Sequence, residues 1–373
     1  MEQADILAPE ERVSLALRKL YEQYGYQKYR MGQFEEYSLY LEHKSFLSSE
    51  NIIAFTDLDG RLMALKPDVT LSIVRHAARE PAAPEKLYYM ESVYRPSAES
   101  HTFREISQMG LEYIGAIDGC AEAEVAVLAA ESLRQAGPSY LLEVSHMGFG
   151  VALLDALGLA DGPRSRTLTA LCQKNVSALA AVAAEAGLSE ADRSALVAMT
   201  SLYGPFQSAL ERARQLCRSQ AMAQALDELE QVYRAAEAVG HGERFQLDLS
   251  LLGDTDYYNG ILFRGYLEGL PRPVLLGGRY DGILRKLGKA GGGIGFALHL
   301  SELARLPGRG QDRELDLLLR YPPDIEPALV VKAVSAAAAQ GLRVRALPDR
   351  EDAGQIRAGK TVRVNGKGVM EPC

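Results

Sequence analysis

The sequence predicts an α+β protein: an antiparallel sheet flanked by helices, interrupted by a helical insertion and followed by a small α/β module. Three observations carry this expectation. KLYYMESVYRP and FREISQMGLEYIG read as two antiparallel strands joined by a polar loop over Ser97–Thr102. From Gly119 to Gly240 alanine and leucine dominate, with helical periodicity. PGRGQDR, at Pro307–Arg313, has the composition of a linker, and a strand–helix–strand pattern follows it.

Taken in order, Pro9–Tyr26 reads as an amphipathic helix with Val13, Leu15, Leu17, Leu20 and Tyr21 near helical spacing and Gly25 ending it. QKYRMGQFEEYSLYL follows as a helix and strand. NIIAFTDLDGRLMALKP places an Asp59–Gly60 turn between two apolar runs, a hairpin signal. LKPDVTLSIVRHAA starts a helix after Pro67, and EAEVAVLAAESLRQAG is another. LLEVSHMGF and FQLDLSLL are strands that return to the sheet on either side of the insertion. The expected division is residues 1–161 and 243–306 as a discontinuous core, 162–242 as the helical insertion, and 312–373 as the C-terminal module.

Composition narrows the class. The 373 residues are 47% hydrophobic and 24% charged, ample for one large core and smaller units. No apolar run approaches the roughly 18 residues that cross a membrane. MEQADILAPEER is acidic and polar, unlike a signal peptide, so a cytoplasmic location is expected. Cys120, Cys172, Cys217 and Cys373 are far apart, and the six histidines show no metal spacing, so neither a metal nor a cofactor is expected. The net charge of −8 weighs against a nucleic acid as the main ligand.

Four segments carry a resemblance that covers essentially the whole chain. GDTDYYNGILF at Gly253–Phe263 and LLGGRYDGIL at Leu275–Leu284 resemble the histidine-binding segments of class II histidyl-tRNA synthetases. LKPDVT at Leu65–Thr70 is similar to that family's L-R-P-E-x-T. YMESVYRPSAESHTFREISQMGLE resembles class II motif 2, and GGGIGFALHLSEL at Gly291–Leu303 resembles motif 3. The resemblance implies a class II synthetase fold and a histidine pocket built from Asp68, Thr70, Gln108, Glu112, Tyr257, Tyr258, Arg279 and Tyr280. Read without it, Asp68 and Thr70 cap a helix, and the paired tyrosines pack a core. Gln108 and Glu112 lie four apart on a strand and so share a face. Paired tyrosines give flat walls that suit an imidazole.

The departures from the family pattern are equally informative. Arg95 matches the arginine that holds the ATP α-phosphate. Gly253 and Glu302 stand where the family has arginines, and His299 stands where it has glycine. Joining a carboxylate to ATP concentrates negative charge that fixed cations must neutralise. The resemblance therefore implies a non-catalytic paralogue with lost positions at Gly253 and Glu302 and a vestigial phosphate contact at Arg95. The known family of that kind is the regulatory subunit of ATP phosphoribosyltransferase. It implies a short catalytic subunit as partner, histidine as feedback effector, and a homodimer within a hetero-oligomer. Two other readings stay open: an active histidyl-tRNA synthetase, and a histidine- or RNA-sensing paralogue. About 60 residues follow the linker, fewer than a full anticodon-binding domain, so tRNA is not expected as a partner.

Overall fold

The computed structural model describes residues 7–42, 52–96, 102–252, 257–306, 315–352, 354 and 356–372. The chain divides into two compact units, residues 8–306 and the C-terminal residues from 307. The polar loop after Pro96 and the linker from Pro307 fall almost wholly outside the described residues.

In the larger unit, helix α1 (Pro9–Gln23) has proline in its first turn, and Glu11 Oε2 accepts from the Ala8 amide at 2.8 Å. Val13, Leu17 and Tyr21 form its buried stripe, and Gly25, at φ +82°, lets the chain leave. Leu15, expected on that stripe, is exposed: it stands two residues from Val13 and from Leu17, across the helix from both. Strand β1 (Gln27–Lys28) follows. Strand β2 (Phe34–Glu36), helix α2 (Tyr37–Glu42) and the hairpin β3 (Ala54–Thr56) and β4 (Leu62–Leu65) come next. Gly60 supplies the hairpin's positive φ, and β2, β4 and β3 form a small antiparallel sheet. Helix α3 (Thr70–His76) starts where Asp68 Oδ1 accepts from the Leu71 amide at 2.8 Å.

The long strands β5 (Glu85–Pro96) and β6 (Phe103–Gly115) pair along their whole length. Helix α4 (Gly119–Ala136), capped by Asp118, leads to β7 (Tyr140–His146) and α5 (Met147–Ala156). Helices α6 (Asp161–Cys172), α7 (Val176–Glu185) and α8 (Glu190–Met199) precede β8 (Tyr203–Pro205). Then come α9 (Phe206–Leu216), α10 (Gln220–Ala238) and β9 (Phe245–Asp248). Strands β10 (Ile261–Leu267) and β11 (Leu275–Arg279), helix α11 (Asp281–Lys286), β12 (Gly292–His299) and α12 (Leu300–Leu303) complete the unit.

Nine strands form one sheet in the order β1-β5-β6-β12-β11-β10-β7-β9-β8. It is antiparallel except at β1–β5 and β7–β9, where the pairing is parallel. Its back face packs on the largest core, with Leu17 and Tyr21 of α1, Met109 and Leu111 of β6, and Val125 and Leu133 of α4. Its front face packs on a second core, with Tyr89 and Val93 of β5, Leu71 and Val74 of α3, and Tyr280. Segment 162–242, expected to be all helical, also supplies β8 to the sheet edge. Its helices share the back-face core through Leu179, Leu196, Leu210 and Leu229. Alanine-rich helix faces permit that close approach, so the segment does not build a core of its own. Among the described residues no helix is long and apolar enough to cross a membrane.

The smaller unit holds β13 (Leu315–Tyr321), α13 (Pro327–Ala339), β14 (Val344–Pro348), β15 (Ala358–Val364) and β16 (Met370–Pro372). Their order is β14-β13-β15-β16, with the last pair antiparallel. Leu317, Leu319, Val330, Ala337, Val362 and Val364 form its core.

Candidate functional site

The front face of the sheet carries a cavity of about 190 Å³. Period-two alternation decides what reaches it. On β6, Gln108 and Glu112 point forward, while Met109 and Leu111 point into the back-face core. On β12, opposite them in register, stand His299 and Gly295. Gly295 is required there: a methyl group would overlap Glu112 Oε2 and the Leu111 carbonyl. Asp68 and Thr70, at the start of α3, form another wall. Tyr257, Tyr258 and Tyr280 form the aromatic one, with the Tyr257 and Tyr258 rings 4.5 Å apart.

Glu112 is the electrostatic centre, with 1% of its surface exposed. Thr70 Oγ1 donates to its Oε1 at 2.7 Å, and Tyr280 Oη donates to its Oε2 at 2.5 Å. Burial nevertheless dominates and pushes its carboxyl up to about 8, only partly offset by those two donors. The acid is therefore mostly protonated at neutral pH until a cation enters. Burial also raises Asp68, against the pull of Arg95. The 13% of the Asp68 side chain left exposed faces the cavity, so burial among protein and access to a ligand coexist. Burial, with Arg95 second, pushes His299 down to about 4, so it lines the cavity as a neutral imidazole. Gln108 is 3% exposed, and its side-chain amide bonds no other described residue. The result is a pocket with a hydroxyl-supported carboxyl at Glu112, a second carboxyl at Asp68, an open amide and flat aromatic walls, matched to an ammonium and a planar polar side chain. Its volume suits one amino acid and falls below the roughly 300–1,000 Å³ of clefts that take drug-sized ligands.

Seven of the eight residues expected in the histidine pocket come together here: Asp68, Thr70, Gln108, Glu112, Tyr257, Tyr258 and Tyr280. Arg279 does not. It lies opposite Ile294 on β12, a back-face position, and its guanidinium bonds Glu122 at 3.0 Å and Asp281 at 2.9 Å. Arg95 reaches the cavity but is turned inward. Its Nε donates to the Pro67 carbonyl at 2.8 Å, and it pairs with Asp68 at 3.4 Å. Glu302 sits on α12, away from the lining, paired with Arg305 at 2.8 Å. Gly253 and the neighbouring Asp256 lie outside the described residues. Tyr89 and Phe296, buried in the two cores, also line the cavity, and no local sequence pattern marks them. A second cavity, about 230 Å³, lies under β7 and β10. There Lys174 and Asp248 pair at 2.9 Å, and Ser250 donates to Asp248 at 2.6 Å.

Comparison with known proteins places the fold and the family. The family model described as histidyl-tRNA synthetase matches residues 5–303. An ATP phosphoribosyltransferase regulatory subunit from Moorella thermoacetica is 34% identical over 330 residues, covering 85% of this chain and 83% of its own. The crystal structure of an ATP phosphoribosyltransferase regulatory subunit/histidyl-tRNA synthetase from Bacillus halodurans superposes with a TM-score of 0.74 at 26% identity, covering 93% of this chain and 90% of the other. The fold also matches the ATP phosphoribosyl transferase (HisG:HisZ) complex from Thermotoga maritima, at a TM-score of 0.63 and 18% identity, over 78% of this chain and 97% of that one. The chain belongs to the histidyl-tRNA synthetase-like family of ATP phosphoribosyltransferase regulatory subunits.

Proposed function

We propose that the chain binds histidine in the front-face cavity without activating it, and that this occupancy regulates a short ATP phosphoribosyltransferase catalytic subunit. One observation carries the reading. The cavity is lined by carboxyls, an open amide and tyrosine rings, a chemistry suited to an amino acid, while the positions that would hold a triphosphate carry an engaged arginine and a glutamate. Arg95 is tied to Asp68 and Pro67, and Glu302 carries the opposite charge to an arginine. Transition-state charge would thus meet no free, preorganised counter-charge at these positions.

The chemistry of occupancy follows from Glu112. An incoming ammonium favours the ionised carboxylate and draws its proton off. Thr70 and Tyr280 already donate to both carboxylate oxygens, so the ionised form is held in place. Gln108 offers an amide donor and acceptor to the ligand's polar groups. Regulation requires that histidine favour the inhibited assembly over the active one, by a coupling typically of about 1–3 kcal/mol. A two-fold homodimer of this chain would array two catalytic partners symmetrically.

Mixing the purified chain with a short catalytic subunit tests the reading. A stable hetero-oligomer on sizing, faster phosphoribosyl-ATP formation and suppression by histidine are expected. Histidine-dependent ATP–pyrophosphate exchange at synthetase-like rates would instead make the chain an active synthetase.

A further inference from the structure

We infer that Arg279 is a positioning residue: from the back face of the sheet it clamps the 257–260 segment, which presents Tyr257 and Tyr258 to the cavity, and holds the turn that carries Tyr280. The inference rests on the histidine-pocket reading and adds to it a residue that never touches the ligand. The aliphatic stem of Arg279 lies against Gly260, where a side chain would collide with it, its nearest methylene 2.7 Å from an added Cβ. Gly260 ends the short segment that begins at Tyr257. The Arg279 carbonyl accepts from the Asn259 amide at 3.0 Å.

The guanidinium closes the rest of the clamp. Its Nη1 donates to Glu122 of α4 at 3.0 Å and its Nε to Asp281 Oδ2 at 2.9 Å. Asp281 in turn accepts from Asn259 Nδ2 at 3.1 Å and from the Gly293 amide at 3.2 Å, while its own amide donates to Asn259 Oδ1 at 2.8 Å. Arg279 and Asp281 thus flank Tyr280 on both sides in sequence. They pair on the back while the Tyr280 hydroxyl reaches Glu112 on the front. One planar fork therefore links α4, the 257–260 segment, α11 and β12. Arginine suits the position because its five donors sit in a fixed geometry that lysine lacks.

A purely electrostatic role, keeping buried Glu122 paired, has to be separated from this one. Glu122 is 3% exposed at its side chain, and removing Arg279 alone would strand it. The test therefore compares Glu122→Gln with the double variant Arg279→Met/Glu122→Gln in the full chain. Two readouts are taken: histidine affinity by calorimetry, and amide hydrogen exchange of residues 257–260 without ligand. Glu122→Gln alone, which keeps the Arg279–Asp281 link, should bind histidine within about twofold of the parent. The double variant should melt close to it, bind at least tenfold more weakly and exchange faster at Asn259. Unchanged affinity and exchange in the double variant overturns the clamp and leaves Arg279 as a charge partner only. If the parent binds no histidine, the pocket reading fails, and exchange at 257–260 alone decides for or against the clamp.

Discussion

On the front of β6 and β12, Gln108, Glu112 and His299 face open space; on the back of the same sheet, Arg279 and Glu122 close on each other at 3.0 Å. Both faces bury groups that water would otherwise solvate. The back face settles that cost internally, with each charge matched and α4 packed over it. The front face leaves capacity over: a protonated acid, an amide with no partner among the described residues and a neutral imidazole. Buried polar groups that are fully paired read as architecture, and those left open around a cavity read as a binding site. The same alternation that places Glu112 forward places Arg279 behind.

The contrast can be broken most forcefully at Gly295. A methyl group there would overlap Glu112 and the backbone of Leu111, so Gly295→Ala should destabilise the chain by roughly 1–3 kcal/mol and displace the Glu112 carboxyl from its place in the cavity. Thermal unfolding and histidine calorimetry would show both effects together. Unaltered binding would mean that the ligand sits elsewhere.

A smaller effect comes from the Glu112 proton. Its folded value near 8 lies above the ordinary 4.5, so the folded chain keeps a proton that the unfolded chain has released. That stabilisation is complete below pH 4.5 and is lost as pH rises through about 8. His299 acts in the opposite sense only below its ordinary 6.5, leaving Glu112 as the one of the two that titrates above it. Between pH 6.5 and 8 the ligand-free parent should lose roughly 1–2 kcal/mol relative to Glu112→Gln. Parallel unfolding curves for the two across that window would place the proton on another group.

The smallest effect is expected on α12. The Glu302–Arg305 pair lies at the surface, with Arg305 exposed and Glu302 half-buried, so Glu302→Ala should change stability by no more than about 1 kcal/mol. Glu302→Arg should not create histidine-dependent pyrophosphate exchange, because Arg95 remains engaged by Asp68 and Gly253 offers no charge. Measurable exchange in that variant would show that one cation sufficed.

Much of this was legible in the chain. The β5–β6 pair, the Asp59–Gly60 turn and the helix after Pro67 follow from local signals, and the forward set Gln108 and Glu112 from strand alternation. Arg279 departs from the expectation because neighbouring residues on a strand face opposite ways: with Tyr280 forward, Arg279 points to the back. Leu15 departs from the expectation because its angle around the helix, not its apolar side chain, decides which face it joins. Arg95 could be recognised, but its engagement with Pro67 and Asp68 depends on how α3 meets β5, which no local pattern encodes. The strand β8 within an alanine-rich helical region was hidden by its three-residue length.

The most direct measurement is a histidine titration of phosphoribosyl-ATP formation by the mixed assembly, comparing the parent with Glu112→Ala. Loss of a charged hydrogen bond to the ligand is worth about 1–3 kcal/mol, so half-inhibition should shift by roughly 5- to 150-fold toward higher histidine. Coincident inhibition curves, with the variant folded and assembled, would contradict the account and move the regulatory site away from this cavity.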